Sequence, residues 1–174
     1  PVDALGILRT DHPHYYRGKQ GDESETEFVD RIVGNLEALI VREGPETIAA
    51  FIAEPITGAS GVIVPPEGYY QKVQAVLNRY DIMFWADEVI TGFGRTGSDF
   101  GCNSMGIEAP DMMTFAKQLS SAYMPISASA IRRDLYDAMI DQSANAGAFG
   151  HGYTYSGHPV ACAVALKTQE IYQR

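Results

Sequence analysis

Cysteine, tryptophan and positive charge are all scarce in this chain of 174 residues. Two cysteines, Cys102 and Cys162, are too few for a disulfide framework and read as partly buried thiols in a reducing, cytoplasmic compartment. Lysine and arginine number 13 against 22 acids, for a net charge of −9. Such a surface repels phosphate backbones and anionic headgroups, so neither nucleic acid nor a membrane is expected as a partner. No apolar run approaches the ~18 residues of a membrane-spanning helix, and no signal peptide is recognisable. His12 and His14 flank Pro13 with no carboxylate or cysteine at ligand spacing, so they read as loop residues and no metal site is expected. Internal repeats, low-complexity tracts and linkers are missing too, which leaves no domain boundary to draw.

What is present is ordinary globular composition, 45% hydrophobic and 20% charged, with enough chain to bury a core. Pro1 to Gly21 has no clean period and reads as irregular. Residues 23–43 read as a helix: Ser24 or Thr26 can cap it, and Phe28, Ile32, Leu36, Leu39 and Ile40 line one face. Gly44-Pro45 stops it. Thr47 to Ala53 is an apolar run of strand formers that ends at Glu54-Pro55. A glycine-rich loop follows, then a helix over 69–80 and a second apolar strand over 82–89. Gly92 to Pro110 shows little helical period and reads as a long ordered loop. A third strand spans 111–116, a short one 126–131, and helices span 132–141 and 160–174, the last with Pro159 at its first position. That last helix meets no stop signal, so the chain is expected to be a piece of a longer polypeptide. Strands alternating with helices predict an α/β fold, a mostly parallel sheet with covering helices. In such sheets the strand carboxyl ends share one edge, where ligands bind.

Three charged residues are predicted to sit on that edge: Glu54, Asp87 and Lys117. Asp87 and Glu88 are neighbours on a strand, so their side chains leave opposite faces and cannot work as an acid–base pair. One is expected in the crevice, the other in packing or in a salt bridge with Arg95. Lys117 closes the apolar run 112–116, an unusual place for a side chain that normally stays solvated. At the rim of a desolvated site an ammonium is disfavoured, which readies a lysine as nucleophile or general base. A lysine with a nearby acid also matches the pyridoxal phosphate arrangement, in which the acid partners the pyridinium nitrogen. Two rivals fit less well. Gly92-Phe93-Gly94-Arg95-Thr96-Gly97 matches the dinucleotide loop G-x-G-x-x-G, yet poor helix formers follow where a helix must open, and two acids precede it. The Gly-x-Ser-x-Gly elbow of serine hydrolases is absent.

Ile52-Ala53-Glu54-Pro55-Ile56, Gly61 to Pro66, Asp87 to Gly97, Pro110-Asp111, Ala116-Lys117, Met124-Pro125-Ile126 and His151 to Pro159 occur together and in this order. That ordered set resembles the class III (ω-amino acid/amine) pyridoxal phosphate-dependent aminotransferases over nearly the whole chain. The resemblance implies the fold-type-I large domain and a transfer of amino groups from an amine or ω-amino acid to an oxo acid such as pyruvate. Glutamate-semialdehyde aminomutase and dialkylglycine decarboxylase are the near alternatives. It further implies that Lys117 holds the cofactor as a Schiff base and shuttles the substrate proton. Asp87 would keep the pyridine nitrogen protonated, and Val89 would pack on the ring from the same strand face. Thr154 would reach the cofactor phosphate of a second subunit, making a homodimer. Glu54 would face the substrate. Gln118 and Ala122 stand where members often carry glycine. Members are much longer, so residues 1–174 are expected to be the second half of the large domain, without the N-terminal segment or the C-terminal small domain. As it stands the chain could then be an inactive fragment.

Overall fold

A computed structural model describes residues 6–174, and its centre is a four-stranded sheet ordered β1-β2-β3-β4. The strands are β1 (Ala50–Ala53), β2 (Met83–Asp87), β3 (Met112–Phe115) and β4 (Ala128–Ile131). The first three run parallel; β4 is antiparallel to β3. Helices follow in chain order: α1 (Tyr15–Gly18), α2 (Glu25–Glu43), α3 (Tyr69–Arg79), α4 (Gly101–Met105), α5 (Arg133–Ala146) and α6 (Pro159–Tyr172). The mostly parallel α/β sheet read from the sequence is therefore present.

Local chemistry explains the main elements. Ser24 caps α2 reciprocally: its hydroxyl accepts the Glu27 N–H and the Glu27 carboxylate accepts the Ser24 N–H. Phe28, Val29, Ile32, Val33, Leu36 and Ile40 then form the buried stripe that such a helix needs to be stable. Gly44, at φ +90°, ends it with its N–H on the Ile40 carbonyl. The core lies between this stripe, the inner face of α3 (Tyr70, Val73, Leu77) and the Phe84 and Ala86 side of β2.

The sheet has two unlike faces. Phe84 and Ala86 point into the core, while Trp85 and Asp87 alternate onto the other side. Ile52, the register partner of Trp85, shares that side and is 56% exposed. No described helix covers it as α2 and α3 cover the first.

Some expected boundaries move. The 47–53 run opens as a short 3-10 helix (Pro45–Thr47) before β1, because the Thr47 hydroxyl bonds back to the Glu43 and Gly44 carbonyls. The irregular N-terminal stretch contains α1, and α5 continues five residues past Asp141. No described helix is long and apolar enough to cross a membrane.

Candidate active site

Parallel register brings the chemistry to one edge. Ala53 pairs with Ala86 and Asp87 with Thr114, so the carboxyl ends of β1, β2 and β3 lie side by side. Glu54 leaves β1 there, Asp87 ends β2, and Lys117 follows β3 by two residues. Trp85 braces this edge by donating its indole N–H to the Thr114 hydroxyl at 2.6 Å.

Asp87 and Glu88 do separate to opposite faces. Glu88 is fully buried and does not pair with Arg95. One of its carboxylate oxygens accepts the Gly101 N–H (2.9 Å) and the Thr91 hydroxyl; the other accepts the Cys102 N–H at 2.7 Å. These are the first two amides of α4, so a carboxylate thirteen residues upstream caps the helix and offsets its dipole. Gly101 allows the approach, because a Cβ there would sit 2.6 Å from the Thr91 side chain. The expectation of a helix-free loop over 92–110 is corrected on this point: α4 forms despite poor local propensity because Glu88 satisfies its end. The Cys102 thiol beside it is pushed up by burial and by the Glu88 carboxylate. Truncating Glu88 to Ala leaves three donors unpaired and should cost about 4 kcal/mol. Chemical denaturation of the variant protein checks this; an unchanged midpoint would remove Glu88 from the fold's support.

The same capping disposes of the dinucleotide reading. No helix opens at Gly97, and the amides at the start of α4 already have an acid as partner. A diphosphate would find no free helix N-terminus there.

Asp87, half-buried on the open face, accepts the Val89 N–H on one oxygen at 3.0 Å. Its second oxygen has no protein partner among the described residues, so it can take a further N–H. Val89 corrects a second expectation. It lies beyond the strand, in the turn that Asp87 stabilises, so strand alternation does not place it.

Lys117 is exposed, not desolvated, because nothing described covers the open face. It is also the exception among the four lysines. Lys72 pairs with Asp30, Lys167 with Glu170 at 2.6 Å, and Lys19 lies over the Tyr15 ring. Lys117 enters none of the ion pairs or ring contacts found among the described residues.

Glu54 turns its carboxylate to the Gly58 N–H at 2.9 Å, inside its own loop. Thr154 is exposed on the segment before α6 and hydrogen-bonds neither Asp87 nor Lys117. Its neighbours Tyr153, Tyr155 and Ser156 line an open cavity of about 840 Å³ with Met124 to Ala128. Among the described residues no cluster of ligating side chains could hold a metal. The sequence reading missed an aromatic triad, Phe93, Phe100 and Phe115, with centroids 5.4–5.6 Å apart, which pins the glycine-rich loop onto β3.

The family model "Aminotransferase class-III" matches residues 6–174. The chain belongs to the class III aminotransferase family. Similar class III proteins include gamma aminobutyrate transaminase 3, chloroplastic, of Solanum lycopersicum, 57% identical over 96% of this chain and 32% of its own length. A probable gamma-aminobutyrate transaminase 3, mitochondrial, of Oryza sativa subsp. indica is 56% identical over the same shares. Among solved structures, the omega transaminase of Pseudomonas jessenii in complex with PMP superposes with a TM-score of 0.94 at 54% identity, over 97% of this chain and 37% of its own. A transaminase with L-ala gives 0.93 at 53% identity, over 96% and 39%. The chain thus spans about a third of the length of the curated class III relatives it matches.

The residues present fit the ring end of a pyridoxal phosphate. A strand-end carboxylate with one oxygen unused among the described residues suits the pyridine nitrogen, and a lysine past the neighbouring strand end that pairs with none of those residues suits covalent attachment.

Proposed function

We propose that the full-length protein is a pyridoxal phosphate-dependent aminotransferase that moves an amino group from an amine or ω-amino acid to an oxo acid such as pyruvate. Residues 1–174 are the second half of its cofactor-binding large domain, with the N-terminal segment and the small domain supplied by the rest of the polypeptide. The observation that carries the reading is the pair at the sheet edge: Lys117, two residues past β3 and in no ion pair among the described residues, and Asp87 at the end of the neighbouring β2, with one carboxylate oxygen free of partners among those residues. Uncovered apolar side chains agree with a larger assembly, Ile52 on the sheet and Val160 and Leu166 on α6 among them. The gamma-aminobutyrate names of the plant relatives favour an ω-amino donor, and the L-alanine in a solved neighbour favours pyruvate as acceptor.

When bound, pyridoxal phosphate supplies a protonated pyridine conjugated to the amino-bearing carbon, a sink for the electrons released on C–H cleavage. Asp87 holds the proton on the ring nitrogen, its geometry fixed by the Val89 N–H. Lys117 would hold the group covalently and, as a free amine, would act as general base for the proton on the substrate carbon. Val89 packs near the ring. Thr154 binds the phosphate of a second copy in a homodimer, and Glu54 lies on the substrate side. Incubating the full-length enzyme with 4-aminobutyrate and pyruvate should give alanine, one mole per mole of donor consumed. Release of carbon dioxide, or isomerisation of a single substrate without transfer, would defeat the proposal.

A further inference from the structure

The turn that carries Lys117 is held in a costly shape. Lys117 (φ +40°), Ser121 (+50°) and Ala122 (+62°) all occupy the left-handed region. Residues other than glycine stay there only where their surroundings over-determine the backbone. Part of the hold is local. The Lys117 carbonyl accepts the Ser120 and Ala122 N–H groups at 3.3 and 3.4 Å, and the buried Ser120 hydroxyl donates to the Met124 carbonyl at 2.6 Å. The remainder comes from some fifty residues downstream. Gln169 donates its amide to the Leu119 carbonyl at 3.1 Å. The Tyr172 hydroxyl lies 3.1 Å from the Gln118 backbone carbonyl and 3.2 Å from its side-chain carbonyl. Gln169 and Tyr172 are three apart on α6 and so share a face. That helix is seated by other side chains, Ala161, Ala165 and Thr168.

We propose that Gln169 and Tyr172 are positioning residues for Lys117, clamping the peptide just after it while leaving its amine free. This rests on the assignment of Lys117 as the cofactor lysine. Such a lysine must swing between anchoring a cofactor and moving a proton, which demands a fixed Cα and a mobile side chain. The clamp gives that division. It also assigns a role to Gln118, whose side chain offers Tyr172 a second acceptor that glycine at this position would lack.

Tyr172→Phe and Gln169→Leu, singly and together in the full-length polypeptide, test the clamp. Gln169 is only partly buried and Tyr172 is 43% exposed near the end of α6, so the variants should fold. Without cofactor, amide hydrogen exchange at residues 117–122 should quicken about tenfold in the double variant, the scale of two lost hydrogen bonds of modest strength, while β2 amides stay unchanged. With cofactor, the rate of borohydride-fixed attachment at Lys117 and kcat should both fall severalfold, with KM moving by less than about twofold. Unchanged exchange overturns the proposal. Faster exchange with unaltered attachment and kcat overturns it too, since the contacts would then be only structural. A wild-type protein that fixes no cofactor on Lys117 sinks the cofactor reading instead, and the exchange result still decides whether the clamp exists.

Discussion

Asp87→Asn is expected to lower turnover by about 10³-fold while the protein still folds and still attaches its cofactor to Lys117. Asparagine keeps an oxygen for the Val89 N–H, so the strand end should hold its shape. What disappears is the negative charge, and an amide that donates replaces the free carboxylate oxygen. A pyridine nitrogen facing a donor cannot keep its proton, and the electron sink is lost with it. In a half-buried site that loss is only partly screened by water. Steady-state kinetics with the reconstituted full-length enzyme measures it; turnover within about threefold of wild type would remove Asp87 from the mechanism.

Lys117→Ala should cost more, about 10⁴-fold in kcat, the upper end for a positioned acid–base group. On the proposed assignment one side chain would serve as both anchor and base, so the variant should also lose covalent cofactor attachment. Lys72→Ala and Lys167→Ala are the matched controls. Each of those lysines already has a carboxylate partner on the surface, and its removal should leave turnover near wild type. Equal losses in all three variants would mean that Lys117 is not special.

Where local chemistry decides the structure, it was legible in the residues. Ser24 with Glu27, followed by apolar positions at helical spacing, is enough to define α2. The run into Asp87 is enough for β2, and strand alternation alone separates Asp87 from Glu88. Tertiary partners decide the rest. Glu88 makes α4 out of a stretch of weak helix formers by capping it from outside the segment, a competition that propensity cannot register. Val89 escapes the strand pattern because a side-chain bond from Asp87 turns the chain one residue after β2. Lys117 was expected at a desolvated rim and is exposed, because no described element covers that sheet face. The Gln169 and Tyr172 contacts join residues 50 and 54 positions apart, with no motif to announce them. A glutamine and a tyrosine three apart on a helix were the only available hint.

The most direct measurement is the site of cofactor attachment in the full-length protein. Loading with pyridoxal phosphate, borohydride reduction, proteolysis and mass measurement would locate the fixed group among the lysines. Cofactor mass on the peptide containing Lys117, and on no other, is the expected result. A fixed group on Lys19, Lys72, Lys167 or any lysine elsewhere in the polypeptide, or no fixed group at all, would contradict the assignment of this edge as the active site.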